Sequence, residues 1–152
     1  MMLVYPVDYP LHDASDTSHA TEKESIVNEH PSLALIHAYN DAWIGGDMAA
    51  VATYLAADVT FDSPNQHLRS ADAFIAVLTR VRRQVTGLTA IIAEFADDEQ
   101  VLMLYDLPTS SAGLVRCCDR FTIKGGKIQT NQLLFDTSPF QPAQPAPPQP
   151  AE

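Results

Sequence analysis

Two adjacent glycines, Gly45 and Gly46, most constrain what this chain can become. They sit within residues 39–64, YNDAWIGGDMAAVATYLAADVTFDSP, between two helical patterns. Upstream, Leu33, Ile36, Tyr39 and Trp43 recur three, three and four apart, which is the period of one helix face. The glycines end that helix, because the left-handed conformation past a helix C-terminus costs glycine no Cβ clash. Asp47 then supplies a carboxylate to accept from the free first-turn amides of a second helix. Met48, Val51, Tyr54 and Leu55 form the buried face of that helix. From Asp58 to Phe61 the pattern alternates like a strand, and Ser63–Pro64 breaks it. The stretch reads as a helical hairpin feeding a strand.

The rest of the chain follows from this start. Pro31 suits the first turn of the first helix, and a helical segment over residues 25–29 precedes it. After Pro64, Ser70 caps a third helix over residues 71–85, with Phe74, Leu78, Val81 and Val85 as its apolar stripe. Arg80, Arg82 and Arg83 form its solvated face, and Gly87 closes it. Strands follow over residues 88–95, 100–107, 114–123 and 127–135, the last two joined by Lys124–Gly125–Gly126 as a hairpin. Residues 88–95 are apolar on both faces, as a strand covered on both sides would be. Helices first and a strand meander after give an α+β fold, with helices on one face of a curved antiparallel sheet.

The 152 residues divide into a leader (1–25), one domain (26–140) and a proline-rich tail (141–152). The leader is expected to be mobile, apart from an apolar cluster of Leu3, Val4, Tyr5, Val7, Tyr9 and Leu11. The tail is expected to be extended, since its prolines suit neither a sheet nor a helix. A formal net charge of −10 repels phosphate backbones and anionic lipid, so neither nucleic acid nor membrane is an expected partner. Residues 1–10 lack the basic n-region of a secretory signal. The two cysteines, Cys117 and Cys118, are adjacent and point to opposite faces of a strand. Free thiols are then the simpler reading, and they suit a reducing cytoplasm. His30 and His37 lie seven apart on a helix without a third ligand, so no metal site is expected.

Two separated motifs carry a resemblance. The run AW-x-GGD-x-x-x-V-x-x-Y-L-A-A-D-V-x-F-D-S-P, and CCDRFTIKGGKI at residues 117–128, resemble the NTF2-like superfamily, in its SnoaL-like and ketosteroid isomerase-like group. The resemblance covers residues 31–140. It implies a cone in which the curved sheet wraps the N-terminal helices around an apolar pocket for a hydrophobic small molecule. It also implies a homodimer through the outer sheet face, at Arg116, Cys118, Arg120 and Gln132, and cofactor-free acid/base chemistry on a ketone, either isomerisation or aldol-type cyclisation. A pocket-binding or assembly module without turnover is the alternative.

Alternation puts Val115, Cys117, Asp119, Phe121 and Ile123 on one strand face, apolar except for Asp119. Burial of that carboxylate raises its pKa and favours a neutral acid able to donate to an oxyanion. Ketosteroid isomerase uses a neutral acid of this kind, and Asp119 and Tyr39 match that group's acid and tyrosine. In that match Tyr39 is the second donor. Equally, Tyr39 closes the core stripe and Asp119 bonds a neighbouring side chain. The family's base precedes the proline after the first strand, where this chain has Ser63. Asp62 lies one residue earlier, and a one-residue step turns a side chain to the other sheet face. His67, in the next loop, is the substitute base. Trp43, Tyr54, Phe61 and Phe74 are candidate substrate contacts, as are Tyr105, Cys117 and Phe121. The strand ending at Tyr105–Asp106 lacks the Arg-x-Asp pair of the limonene-epoxide-hydrolase group, which argues against that chemistry.

Overall fold

A computed structural model describes residues 30–141. The leader, residues 26–29 and the tail beyond Gln141 lie outside the described residues, as does the expected helical segment over 25–29. Helix α1, Pro31–Gly45, begins where the His30 ring accepts from the Ser32 amide, and proline fills its first turn. It ends at Gly46, whose φ of 84° is the left-handed cap that the glycine pair predicts. The Asp47 carboxylate accepts from the Ala50 amide at 2.9 Å and starts α2, Met48–Tyr54. Leu55, expected on that helix, is already extended and opens strand β1, Leu55–Ser63.

A short strand β2, Gln66–Leu68, folds back on β1. Ser70 caps α3, Ala71–Arg82. That helix stops one turn earlier than its sequence period suggests, because Val85 leaves it to form a bridge with Thr109. Strands β3 (Ala90–Ala96), β4 (Gln100–Thr109), β5 (Gly113–Lys124) and β6 (Lys127–Phe135) follow, then a 3-10 turn, Ser138–Phe140.

The six strands lie in the order β2-β1-β6-β5-β4-β3. Three helices pack on one face of this curved, unclosed sheet, which gives the expected α+β cone. The sheet is mixed rather than wholly antiparallel, because β1 runs parallel to β6. Pairing between elements so distant in sequence leaves no local signal of its direction.

The core lies between the helices and the inner sheet face. Ile36, Tyr39 and Trp43 of α1 and Phe74 of α3 meet Val101, Met103 and Phe121 there, all 5% exposed or less. Each aliphatic or aromatic side chain buried so fully contributes roughly 1.5–3 kcal/mol. Strand β3 corrects an expectation. It is the sheet edge, and Ile91, Ile92 and Phe95 are 46, 48 and 69% exposed instead of covered on both sides. An apolar composition shows that cover is wanted, not which element supplies it. Among the described residues, no helix is long and apolar enough to cross a membrane.

Candidate functional site

Strand β5 places Asp119 on the inner face, between Cys117 and Phe121, where it is 6% exposed. The register of β5 with its two neighbours supplies its partners. Tyr105 of β4 donates its hydroxyl to Asp119 Oδ2 at 2.6 Å, and Asn131 of β6 donates its amide to Oδ1 at 2.6 Å. Both partners are buried. Burial pushes the Asp119 pKa up to about 6, against the lowering effect of the two donors. A pKa of about 6 brings both protonation states of the carboxyl within reach near neutrality. Burial raises the pKa in the direction the sequence reading expects, while the two donors aimed at the carboxylate favour its charged form and oppose that rise.

Tyr39 lines the same cavity from α1, its ring edge-on to Phe121 at 5.8 Å. Burial first, and the Asp119 charge second, raise its pKa well above the ordinary tyrosine value, so it is a neutral phenol. Tyr39 closes the core stripe at 2% exposure, and its hydroxyl makes no hydrogen bond with another described residue. Asn40 continues the polar patch. Its amide oxygen accepts from Trp43 Nε1 at 3.0 Å, and its amide nitrogen reaches Met103 Sδ at 3.4 Å.

These side chains surround an inner cavity of about 70 Å³. Phe61 and Phe74 stack at 4.6 Å along its wall. Outward lies an apolar vestibule of about 260 Å³, between α3, strands β4 to β6 and the final turn. Val81, Leu107, Cys117 and Leu133 line both spaces, so the vestibule leads toward Asp119. At its rim Phe140 meets Phe135 edge-on at 5.8 Å. Burial pushes the Cys117 thiol up to about 12, which makes it an inert part of the wall.

Of the other sequence candidates, Trp43, Phe61, Phe74, Tyr105, Cys117 and Phe121 line the inner cavity. Tyr54 packs half-buried against the core and lines neither space. Asp62 and His67 are not brought to the cavity. Asp62 pairs with His67 across β2 and with Gln132 across β6, and Gln132 in turn pairs with Arg120 on the outer face. The irregularity in β1 lies between Leu55 and Thr60, so no bulge turns Asp62 inward. Its carboxylate instead shares a 2.8 Å hydrogen bond with His67 Nδ1 and accepts from Arg69 at 3.2 Å. Those partners hold its pKa below the ordinary value.

Asn131 is the site residue that sequence reasoning missed. Strict alternation from Ile128 would send Thr130 inward. A register shift beside Ile128 advances the parity by one, so Asn131 faces Asp119 instead. Among the described residues no group of three His, Cys, Asp or Glu side chains could hold a metal ion.

The SnoaL-like domain family matches residues 36–131, nearly the whole cone. No curated protein matches the chain. A solved protein of Kribbella flavida DSM 17836 is 28% identical with a TM-score of 0.68, over 71% of this chain and 88% of its own. An LEH-like epoxide hydrolase from M. tuberculosis is 20% identical, TM-score 0.60, over 70% of this chain and 84% of its own. A candidate polyketide cyclase from Sinorhizobium meliloti is 18% identical, also with a TM-score of 0.60, over 66% of this chain and 93% of its own. The last two likenesses are of fold alone.

Proposed function

The chain belongs to the SnoaL-like domain family, and from that premise we propose that it exchanges a proton on a compact apolar ketone, with Asp119 as both base and acid. One observation carries this reading. Asp119 lines the inner cavity, with a pKa of about 6 and each oxygen held by one fixed donor. A base works best when its pKa lies near the working pH, and a carboxylate has lone pairs left after two hydrogen bonds.

In the proposed step the Asp119 carboxylate takes a proton from the carbon beside the carbonyl. The C–H electron pair moves into an enolate, whose oxygen receives a hydrogen bond from Tyr39. Tyr105 and Asn131 orient the carboxylate. The acid so formed returns its proton to another carbon, which is an isomerisation. Alternatively the enolate carbon attacks a second carbonyl, which is an aldol-type ring closure, and Asp119 protonates the new alkoxide. Neither route needs a cofactor. Ligand pockets span roughly 300–1,000 Å³, so a vestibule of about 260 Å³ suits a small, mainly apolar molecule.

The second reading, a binding module without turnover, is favoured by the inner cavity of only about 70 Å³ beside the stacked Phe61 and Phe74. Exchange of α-protons for deuterium separates the two. Cyclic enones and 1,3-diketones are incubated with the chain in D2O and followed by NMR. Catalysed exchange should fall about 10²-fold or more in Asp119→Asn. Ketones that perturb cavity resonances without any catalysed exchange would select the binding module.

A further inference from the structure

The outer sheet face carries features that the pocket does not use. Phe95, Leu102, Leu114 and Leu134 stand 42–69% exposed there. Two hollows of about 380 and 440 Å³ meet at Leu102 and Arg120, and together they cross the face from the β3–β4 turn to the end of β1. Arg120 stands between them. Its guanidinium donates to the neutral amides of Gln100 at 3.0 Å and Gln132 at 2.9 Å, and pairs with no carboxylate among the described residues.

The chain enters the described body at one end of this groove. His30 Nε2 lies 3.2 Å from Asp98, and the Ser32 hydroxyl donates to the Asp97 carbonyl at 2.6 Å. Asp97 also lines the first hollow. The segment leading to His30 holds the apolar run LVYPVDYPL, residues 3–11, with Asp8 near its centre. Its prolines lack the donors to extend a sheet ladder but favour an extended course across a surface. The connection from this run to His30 spans up to ~60 Å when extended, against ~24 Å across six strands.

We propose that residues 3–11 of this same chain occupy the outer groove, with their apolar side chains over Leu102 and Leu134 and the Asp8 carboxylate against Arg120. Residues 1–29 are acidic, with Asp8, Asp13, Asp16, Glu22, Glu24 and Glu29 against Lys23 alone. Among the described residues, Arg120 is the one cation lining the two hollows, which Asp97 and Asp62 border at their far ends. The competing occupant is a second copy of the chain, as the homodimer expectation would have it.

Cys118 reports on the groove because it lines the second hollow, whereas Cys117 is buried in the core. Full-length protein is treated with N-ethylmaleimide, and modification is read by mass spectrometry. Cys118 should react slowly, at a rate independent of protein concentration. The triple variant Val4→Asp/Tyr5→Asp/Val7→Asp should react about 10-fold faster or more, with Cys117 still protected as the check on folding. Asp8→Lys should also accelerate the reaction, and adding Arg120→Glu should reverse that gain. Equal rates in wild type and triple variant would overturn the proposal. Protection that grows with protein concentration would overturn it in favour of the second copy.

Discussion

The two faces of the sheet treat the same residue type in opposite ways. On the inner face, Asp119 is buried among apolar side chains and its pKa rises to about 6, although Tyr105 and Asn131 both bond it. On the outer face, Asp62 and Asp106 are held below the ordinary carboxylate value by His67 and Arg69, and by Arg116, whose guanidinium grips Asp106 through two 2.9 Å bonds. Neutral donors inside do not offset the desolvation of Asp119, whereas the partners outside act on carboxylates with little desolvation to offset. Protonation behaviour here follows which way a strand residue points, and that is decided by parity.

The largest effect that would sharpen this contrast is on stability. Burial raises the folded Asp119 pKa above its unfolded value, so the folded state binds the proton more tightly. Its favourable contribution is complete below about pH 4 and is lost as pH rises through about 6. The gap between 3.8 and about 6 corresponds to about 3 kcal/mol. Denaturant unfolding from pH 4 to pH 7 should show that decline in wild type and a much flatter profile in Asp119→Asn. The outer-face acids Asp62 and Asp106 act in the opposite sense and at lower pH, so they do not mask it. Equal slopes in the two proteins would break the comparison.

A smaller effect comes from the inner donors. Tyr105→Phe removes a hydrogen bond to Asp119 and should cost about 1–3 kcal/mol. The cost should be greater at pH 8, where the acceptor is charged, than at pH 4. The Asp119 pKa, followed by carboxyl NMR, should rise above its wild-type value because a donor that lowers it is gone. No rise would mean that the tyrosine bond does not hold the charge.

The smallest effect is expected outside. Asp62→Asn and His67→Ala should leave α-proton exchange and cavity ligand binding unchanged, since both side chains lie on the other face. A loss of exchange in either variant would show that the outer pair reaches the chemistry and would void the division of faces.

Much of this is legible in the sequence because it is local. The Gly46 cap, the Asp47 and Ser70 side-chain caps and the β5 alternation each depend on a few adjacent residues, and each is found where the sequence puts it. Alternation alone places Asp119 inward. It does not place Asn131, because one register irregularity beside Ile128 reverses the parity of β6 and leaves no mark in composition. Asp62 shows the converse: its one-residue offset from the proline does indicate an outward side chain, and no bulge cancels it. The exposure of β3 and the parallel β1–β6 pairing depend on which elements meet across the whole chain, which no window of residues contains.

That parallel pairing has a consequence for how the protein is made. Thr60 and Phe61 lie beside Thr130 and Asn131, about seventy positions later along the chain. Contacts of such long sequence separation slow folding, since the intervening loop must be closed before they form. During synthesis the helices and β1 leave the ribosome first, while the strand that seats β1 and supplies Asn131 emerges last. Until then Phe61 has no neighbour on that side, and the Asp119 carboxylate lacks one of its two donors. The nascent domain would depend on the final strand both to shield its aggregation-prone surface and to complete its acid.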